Sequence, residues 1–336
     1  MTMQWPSAEP SPEHDPRQDE TQDRGHDEEH DASSTWRLPT AALIPIAALV
    51  WWIVGFSPWI LDGLRVSSFN STPVLAVPLF AGNVSAMVLG GGLGGLAAGL
   101  VALLGRGTRL RRAGAVTLGV VIAAAVTLLQ SALTQRDPSP SNMSAADRVL
   151  AGLVVVAIAS TILGLVWGLA ALSGRIGVGI ALAGVAGAAP WWLTAVLAAL
   201  GMDRSIQDLY GSADVAQWTG AVVLACALVI IGVQPLARVV WWLPAVVLAW
   251  VVGPTITASA YMEQLLRPGT SLSEVFGESF DLAWQVWKRA ASLELRPLTP
   301  WIVAIVVAAL VSIVIGWARR APSRADGPEA VGDPHG

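Results

Sequence analysis

The feature that most limits the fold of this chain is a series of long apolar runs that contain almost no charged residues. Charged residues make up 13% of the chain, against roughly a quarter in soluble domains. A hydrocarbon core of roughly 30 Å is crossed by about 20 helical residues, so each run has the length of a membrane span. We expect eight spans, near residues 38–61, 76–104, 113–134, 149–173, 176–201, 216–236, 239–260 and 300–318. The predicted fold is all-α: a polytopic transmembrane helical bundle with an outer amphipathic helix between the last two spans.

The gaps between the spans alternate in charge, and this alternation predicts their orientation. The gaps after the second, fourth and sixth spans carry arginine and no acid, namely Arg106, Arg109, Arg111, Arg112, Arg175 and Arg238. The other gaps mix both signs. Because arginine-rich short loops stay in the cytoplasm, we expect both termini there and a multi-pass protein of the plasma membrane. A single lysine, Lys288, and abundant Ala, Gly and Val suggest a bacterial source.

Two polar tails flank the membrane domain at 38–318. Residues 1–37 are strongly acidic and 319–336 are rich in Gly, Pro and acids, so both are predicted to be disordered cytoplasmic tails. The acidic tail either attracts a basic partner protein or is simply solvated. Its His26-Asp27-Glu28-Glu29-His30 matches a zinc-protease spacing, but the surrounding segment has no apolar face. We therefore predict no metal and no cofactor.

The second span carries the most regular motif of the sequence. Its glycines recur every four residues, as in Gly91, Gly95 and Gly99, and a similar row in the fourth span comprises Ser160, Gly164 and Gly168. Small residues on one face allow two helices to approach closely. We interpret both rows as helix-packing surfaces, in this chain or between subunits; the alternative is a helix that slides or gates.

The outer segment 261–299 contains a strongly amphipathic pattern. From residue 272 to residue 293, apolar side chains, including Phe280, Trp284 and Trp287, share one side, and charged or amide side chains share the other. Such a helix can lie in the membrane interface, cap the bundle or receive a partner. Phe280, Trp284 and Trp287 are the candidate residues of that outer interface.

No arrangement typical of an enzyme is apparent inside the spans. The sequence places no Asp, Glu, Lys, Arg or His at mid-membrane depth, although ion pathways and intramembrane enzymes usually need such groups. The single cysteine, Cys226, is expected to be buried and inert. Pro190 and Gly253-Pro254 indicate either tolerated kinks or a broken helix at a binding site.

Two functional hypotheses follow. The first is a non-enzymatic scaffold, assembly factor or regulator of a bacterial cell envelope. The second is a transporter or permease subunit for a neutral or lipid-like substrate, which would need a cavity lined by small and hydroxyl residues. The expected partners are membrane lipids and other membrane proteins, and no nucleic acid.

Overall fold

The computed structural model describes residues 37–67, 76–79, 81–135, 143–201, 206–263 and 272–318. The two predicted tails lie outside this part of the chain, except for Arg37. The described residues form nine α-helices: α1 Leu43–Ser67, α2 Val84–Val101, α3 Arg109–Gln135, α4 Met143–Ala170, α5 Arg175–Ala199, α6 Ile206–Ile231, α7 Trp242–Glu263, α8 Leu272–Ala290 and α9 Thr299–Ala318. Short 3-10 turns, such as Leu236–Trp241, extend several of them.

All eight predicted spans contain a helix, and α8 is the outer amphipathic helix. Seven of these helices, taken with their 3-10 extensions, are long and apolar enough to cross a membrane, and α6 contains a shorter apolar stretch, Val215–Ile231. The all-α transmembrane bundle predicted from the sequence is therefore confirmed.

The arginine-bearing links collect at one end of the bundle. Leu38 pairs with the chain after α2, since its amide donates to the Leu104 carbonyl and its own carbonyl accepts from the Arg106 amide. Arg175, Arg238 and the last turns of α9 line one cavity at this end. At the opposite end, the Glu263 carboxylate accepts a hydrogen bond from the Ser85 amide. The alternation of charge in the sequence thus corresponds to the two ends of the bundle.

The core falls into two clusters joined by a small third one. The first cluster involves α1 to α4, with Trp51, Met87 and Val116 buried in it. The second joins α5, α6, α7 and α9 around Leu224 and Leu228. Between them, Leu89 and Leu93 of α2 meet Ala188 of α5 and Ile256 of α7. Helix α2 thus contacts both halves of the bundle.

Residues 76–79 form a non-helical segment that is packed inside the protein. The sequence predicts that the second span begins near residue 76, but this segment is not helical, and Val77 and Leu79 are fully buried. Side chains of α3 satisfy its backbone: the Ala76 amide donates to Gln130 Oε1 at 2.9 Å and the Val77 amide to Ser131 Oγ at 3.1 Å. Irregular backbone is tolerated at membrane depth when it is covered and bonded in this way.

Helix α1 bends where Pro58 interrupts its hydrogen bonds. Phe56 has non-helical angles, with φ −112° and ψ 16°. Because proline has no N–H, the Val54 carbonyl loses its helical donor. Trp192 of α5 supplies another, since its indole Nε1 donates to the Val54 oxygen at 2.8 Å. The bend in α1 is thereby tied to α5.

Cys226 was expected to be buried, and this expectation is wrong. Helix α6 packs through Leu224, Ala227, Leu228 and Ile231, which share one face and are buried. Cys226 points away from that face and is exposed. An apolar run predicts membrane depth, but only the packing partner decides which of its residues are covered.

Candidate functional site: glycine packing, an outer aromatic helix and a bound arginine

The two predicted rows of small residues meet in the interface between α2 and α4. A β-carbon at Gly91 would lie 3.0 Å from the Ala157 carbonyl oxygen, and one at Gly99 would lie 2.6 Å from the Gly168 Cα. At Gly95 it would lie 2.8 Å from the Leu165 backbone nitrogen. Contacts this short with backbone atoms leave no room for a side chain. The two helices of this chain therefore approach each other backbone to backbone.

Ser160 and Gly164 complete this interface from α4. The Ser160 hydroxyl is 3.2 Å from the Met87 carbonyl of α2 and donates within its own helix to Ala157 at 3.1 Å. Gly164 packs directly on the Gly92 carbonyl. The opposite face of α2 is also held closely, because Gly94 packs on the Trp51 carbonyl of α1. A helix held on both faces in this way is a fixed part of the framework.

A cleft opens beside this interface, between α4 and α7. It has a volume of about 220 Å³, and its lining combines leucines and valines with Gly92, Gly184, Ser160 and Thr255. A β-carbon at Gly92 would meet only the Ser160 carbonyl, 3.9 Å away. The missing side chain of Gly92 therefore leaves space in the cleft, while its backbone contacts Gly164.

The three aromatic residues predicted for the outer interface occupy different positions on α8. Ala283 is buried, and the Trp287 indole Nε1 donates to Thr255 Oγ1 of α7 at 3.2 Å. Trp284 stacks on Trp287 with centroids 5.1 Å apart, yet 48% of its surface is exposed. Phe280 is 66% exposed. Trp287 thus attaches the helix, while Phe280 and Trp284 face outwards.

Helix α7 continues through Gly253-Pro254, and these two residues form a binding site for an arginine. Proline at 254 removes the N–H that would bond the Trp250 carbonyl. Arg296, in the connection between α8 and α9, donates from Nη1 to this oxygen at 2.7 Å. The guanidinium lies directly over Gly253, where any side chain would collide with it. Proline provides the free acceptor and glycine provides the space.

Two indole rings complete this arrangement. The Arg296 guanidinium carbon lies 5.2 Å from the Trp250 ring centroid and 6.0 Å from that of Trp301. The two rings meet edge to face, with centroids 5.2 Å apart. Such rings attract a cation through their negative faces. We call Trp250, Gly253, Pro254 and Trp301 the arginine socket.

The arginine socket lies near the middle of a spanning helix. Trp250 is twelve residues after Arg238 and thirteen before Glu263, so about 20 Å of chain separates it from each end. Burial lowers the pKa of the Arg296 guanidinium through desolvation, and the group stays charged because arginine is so basic. The carbonyl and the rings compensate the charge of this partly buried group.

The sequence missed this residue because Arg296 belongs to a connection rather than to a span. Arg296 does not contradict the expectation that the spans hold no ionisable group at mid-membrane depth, because it lies three residues before α9 begins. Gly253-Pro254 and Trp301 are visible in the sequence, but neither of them indicates which residue packs against them. Only the path of the connection, which brings Arg296 back to the middle of α7, joins these features.

The part of the chain that the structure describes shows no candidate metal site. Its residues include no group of three or more His, Cys, Asp or Glu side chains able to hold an ion. The His26–His30 motif lies outside the described residues. No protein-family model matches this chain, and neither a curated protein nor a solved structure is similar to it.

Proposed function

We propose that this protein is a non-enzymatic scaffold, assembly or regulatory component of a bacterial cell-envelope complex. In this proposal both termini are cytoplasmic, the arginine-bearing end faces the cytoplasm, and α8 lies on the outer side of the plasma membrane. Membrane lipids surround the bundle. Helix α8 binds a helix of another membrane protein through Phe280 and Trp284.

The attachment of α8 is the observation that supports this proposal. Three bonds tie it and the following connection to α7: Trp287 to Thr255, the Trp250 indole to the Ala291 carbonyl at 3.2 Å, and Arg296 to Trp250. Phe280 and Trp284 nevertheless remain exposed. Rings held on a fixed helix bind a partner with little loss of conformational entropy, and aromatic residues dominate protein interfaces energetically.

The charge of α8 favours a protein partner over a lipid surface. Its polar residues include Asp281, Lys288 and Arg289, with Glu274 and Glu278 nearer its start. Helices that bind anionic headgroups carry a predominantly basic polar face. A nearly balanced face instead suits the polar rim of a protein interface, where both signs occur.

Site-specific photo-crosslinking in native membranes tests this proposal. A photoreactive residue at position 280 or 284 should give the same protein adduct, identified by mass spectrometry. The control position is 314, since Val314 is equally exposed on α9 and should give lipid adducts only. Arg296→Gln should weaken the adduct from 284 because the connection after α8 loses its bond to α7. Lipid adducts alone at 280 and 284 would overturn the proposal.

The cleft between α4 and α7 favours a second candidate, a transporter or permease subunit for a lipid-like substrate. Its volume of about 220 Å³ and its apolar lining suit an acyl chain, whereas a helix of about 10 Å diameter is too wide. Gly92→Leu should fill the cleft, and Gly114→Leu is the control because Gly114 has open space around it. A neutral diacylglycerol should raise the melting temperature of the parent and the control, but not of Gly92→Leu. An equal rise in all three would remove this candidate.

A further inference from the structure

A second cavity, distinct from the cleft and from α8, lies at the arginine-bearing end of the bundle. Its volume is about 340 Å³. The walls come from the start of α5, the end of α6 with the turn that follows, and the last two turns of α9. Their polar members are Arg175, Gln234, Arg238 and Ser312. These side chains come from three separate parts of the sequence and meet only in the fold.

Among the residues that the structure describes, no acidic side chain of the cavity wall balances its positive charge. Arg175 and Arg238 both line it, and no Asp or Glu is among the lining residues. Within the described ranges neither arginine forms an ion pair. Two guanidinium groups facing one space attract an anion, and their planar donors match the oxygens of a phosphate. Arg175 is also the first residue of α5, where helix amides favour negative charge.

Ser312 provides an independent indication of a ligand. Its side chain is 7% exposed, and its hydroxyl oxygen has no hydrogen-bond partner among the described residues. Buried hydroxyls are nearly always bonded, and a serine in a helix can usually bond a carbonyl of the preceding turn. Ser312 is a lining residue of the cavity, and a change of side-chain rotamer would turn its buried, unbonded hydroxyl to a ligand oxygen without loss of an internal bond.

Gln234 adds an amide donor at the same place. It follows Gly232, whose positive φ of 74° ends α6. Gly316 of α9 makes room for it, because a β-carbon there would lie 2.9 Å from Gln234 Nε2. The neutral donors and the two cations thus surround one space.

We infer that this cavity binds a phosphate group through Arg175, Arg238, Gln234 and Ser312. The phosphate belongs either to the headgroup of an anionic phospholipid or to a soluble phosphate compound, since both present the same oxygens. The site is independent of the partner proposed for α8. Its loss would leave crosslinking from position 284 unchanged, and the two proposals therefore fail separately.

Two arms of one binding experiment distinguish the sources of the phosphate. In the first, the full chain is placed in nanodiscs containing phosphatidylglycerol and phosphatidylcholine, and the lipid retained is identified by native mass spectrometry. In the second, the detergent-solubilised chain is titrated with inorganic phosphate and its melting temperature is followed. Retention of phosphatidylglycerol alone assigns a lipid headgroup, and stabilisation by inorganic phosphate alone assigns a soluble ligand; either result supports the site.

Variants show whether these residues carry the binding. Arg175→Gln with Arg238→Gln should weaken it about tenfold or more, as expected for lost charged hydrogen bonds. Ser312→Ala should weaken it with an unchanged melting temperature in the absence of ligand, because its hydroxyl has no internal bond to lose. Arg109→Gln with Arg111→Gln is the control, since both arginines lie at the same end but outside the cavity. No binding in either arm, or equal weakening in the control, would overturn the inference.

Discussion

Two prolines inside spanning helices each leave a carbonyl without its helical donor, and a side chain from another element bonds each carbonyl. Pro58 frees the Val54 oxygen for Trp192, and Pro254 frees the Trp250 oxygen for Arg296. In hydrocarbon an unbonded carbonyl costs several kcal/mol. At these two positions the proline thus exposes a carbonyl through which another element is bonded to the helix.

The arginine socket makes a specific prediction about energetic coupling. Arg296→Gln should destabilise the parent by about 1.5–3 kcal/mol, the range for a hydrogen bond to a charged group. In a Pro254→Ala background the loss should be smaller, because residue 254 now donates its own N–H to the Trp250 carbonyl. Unfolding of the single and double variants in mixed detergent micelles measures the difference. Equal losses in both backgrounds would show that the freed carbonyl is not what holds Arg296.

At the residue scale, the sequence identified the Gly253-Pro254 interruption but not the side chain that binds there. Gly253-Pro254 was interpreted as either a kink or a broken helix at a binding site, and the structure places a side chain of the same chain there. The identity of that side chain depends on a contact across 46 positions of the sequence. Local sequence patterns carry no information about a contact between residues so far apart in the chain.

Among the elements, α2 is the one most restricted by its neighbours. Its glycines contact the backbone of α4 on one face and that of α1 on the other. Close backbone approach of this kind replaces the hydrophobic effect, which does not drive association between helices in lipid. Four-residue spacing is enough to predict such a surface, but the spacing does not say which helix covers it or whether that helix belongs to another subunit.

Neighbouring glycines of α2 should respond oppositely to alanine. Gly95→Ala should cost about 1–3 kcal/mol, because its methyl group would be forced against the backbone of α4. Gly92→Ala is the matched control: with its nearest neighbour 3.9 Å away, it should be neutral or stabilise the helix by up to about 1 kcal/mol. Chemical unfolding in micelles measures both. Similar losses for the two variants would contradict the described contact.

The attachment of α8 gives a prediction for a single element. Trp287→Phe keeps the ring but removes the Nε1 donor to Thr255, at a cost of about 0.5–1.5 kcal/mol. Amides of α8 should then exchange faster by hydrogen–deuterium mass spectrometry, while those of α2 remain unchanged. Trp284→Phe is the control, because the exposed ring of Trp284 stacks on Trp287 without bonding α7. Unaltered exchange in α8 of Trp287→Phe would show that another contact attaches it.

At the scale of the whole molecule, most predictions from the sequence rest on the contrast between lipid and water as surroundings of the chain. Lipid excludes charge from every exposed surface at its depth, so long uncharged runs identify the spans even where each residue's neighbours are unknown. The same argument fails for residues 76–79 and for Arg296. These parts are covered by protein rather than lipid, and protein can satisfy irregular backbone and charge through the specific bonds observed to Gln130, Ser131 and Trp250.

Labelling of single cysteines tests the membrane arrangement most directly. Cys226→Ala provides a cysteine-free chain, and Asp62→Cys and Arg109→Cys then mark exposed positions at opposite ends of the bundle. A membrane-impermeant maleimide applied to intact cells should label Asp62→Cys at once and Arg109→Cys only after permeabilisation. Immediate labelling of Arg109→Cys in intact cells, with Asp62→Cys protected, would reverse the orientation and contradict the account.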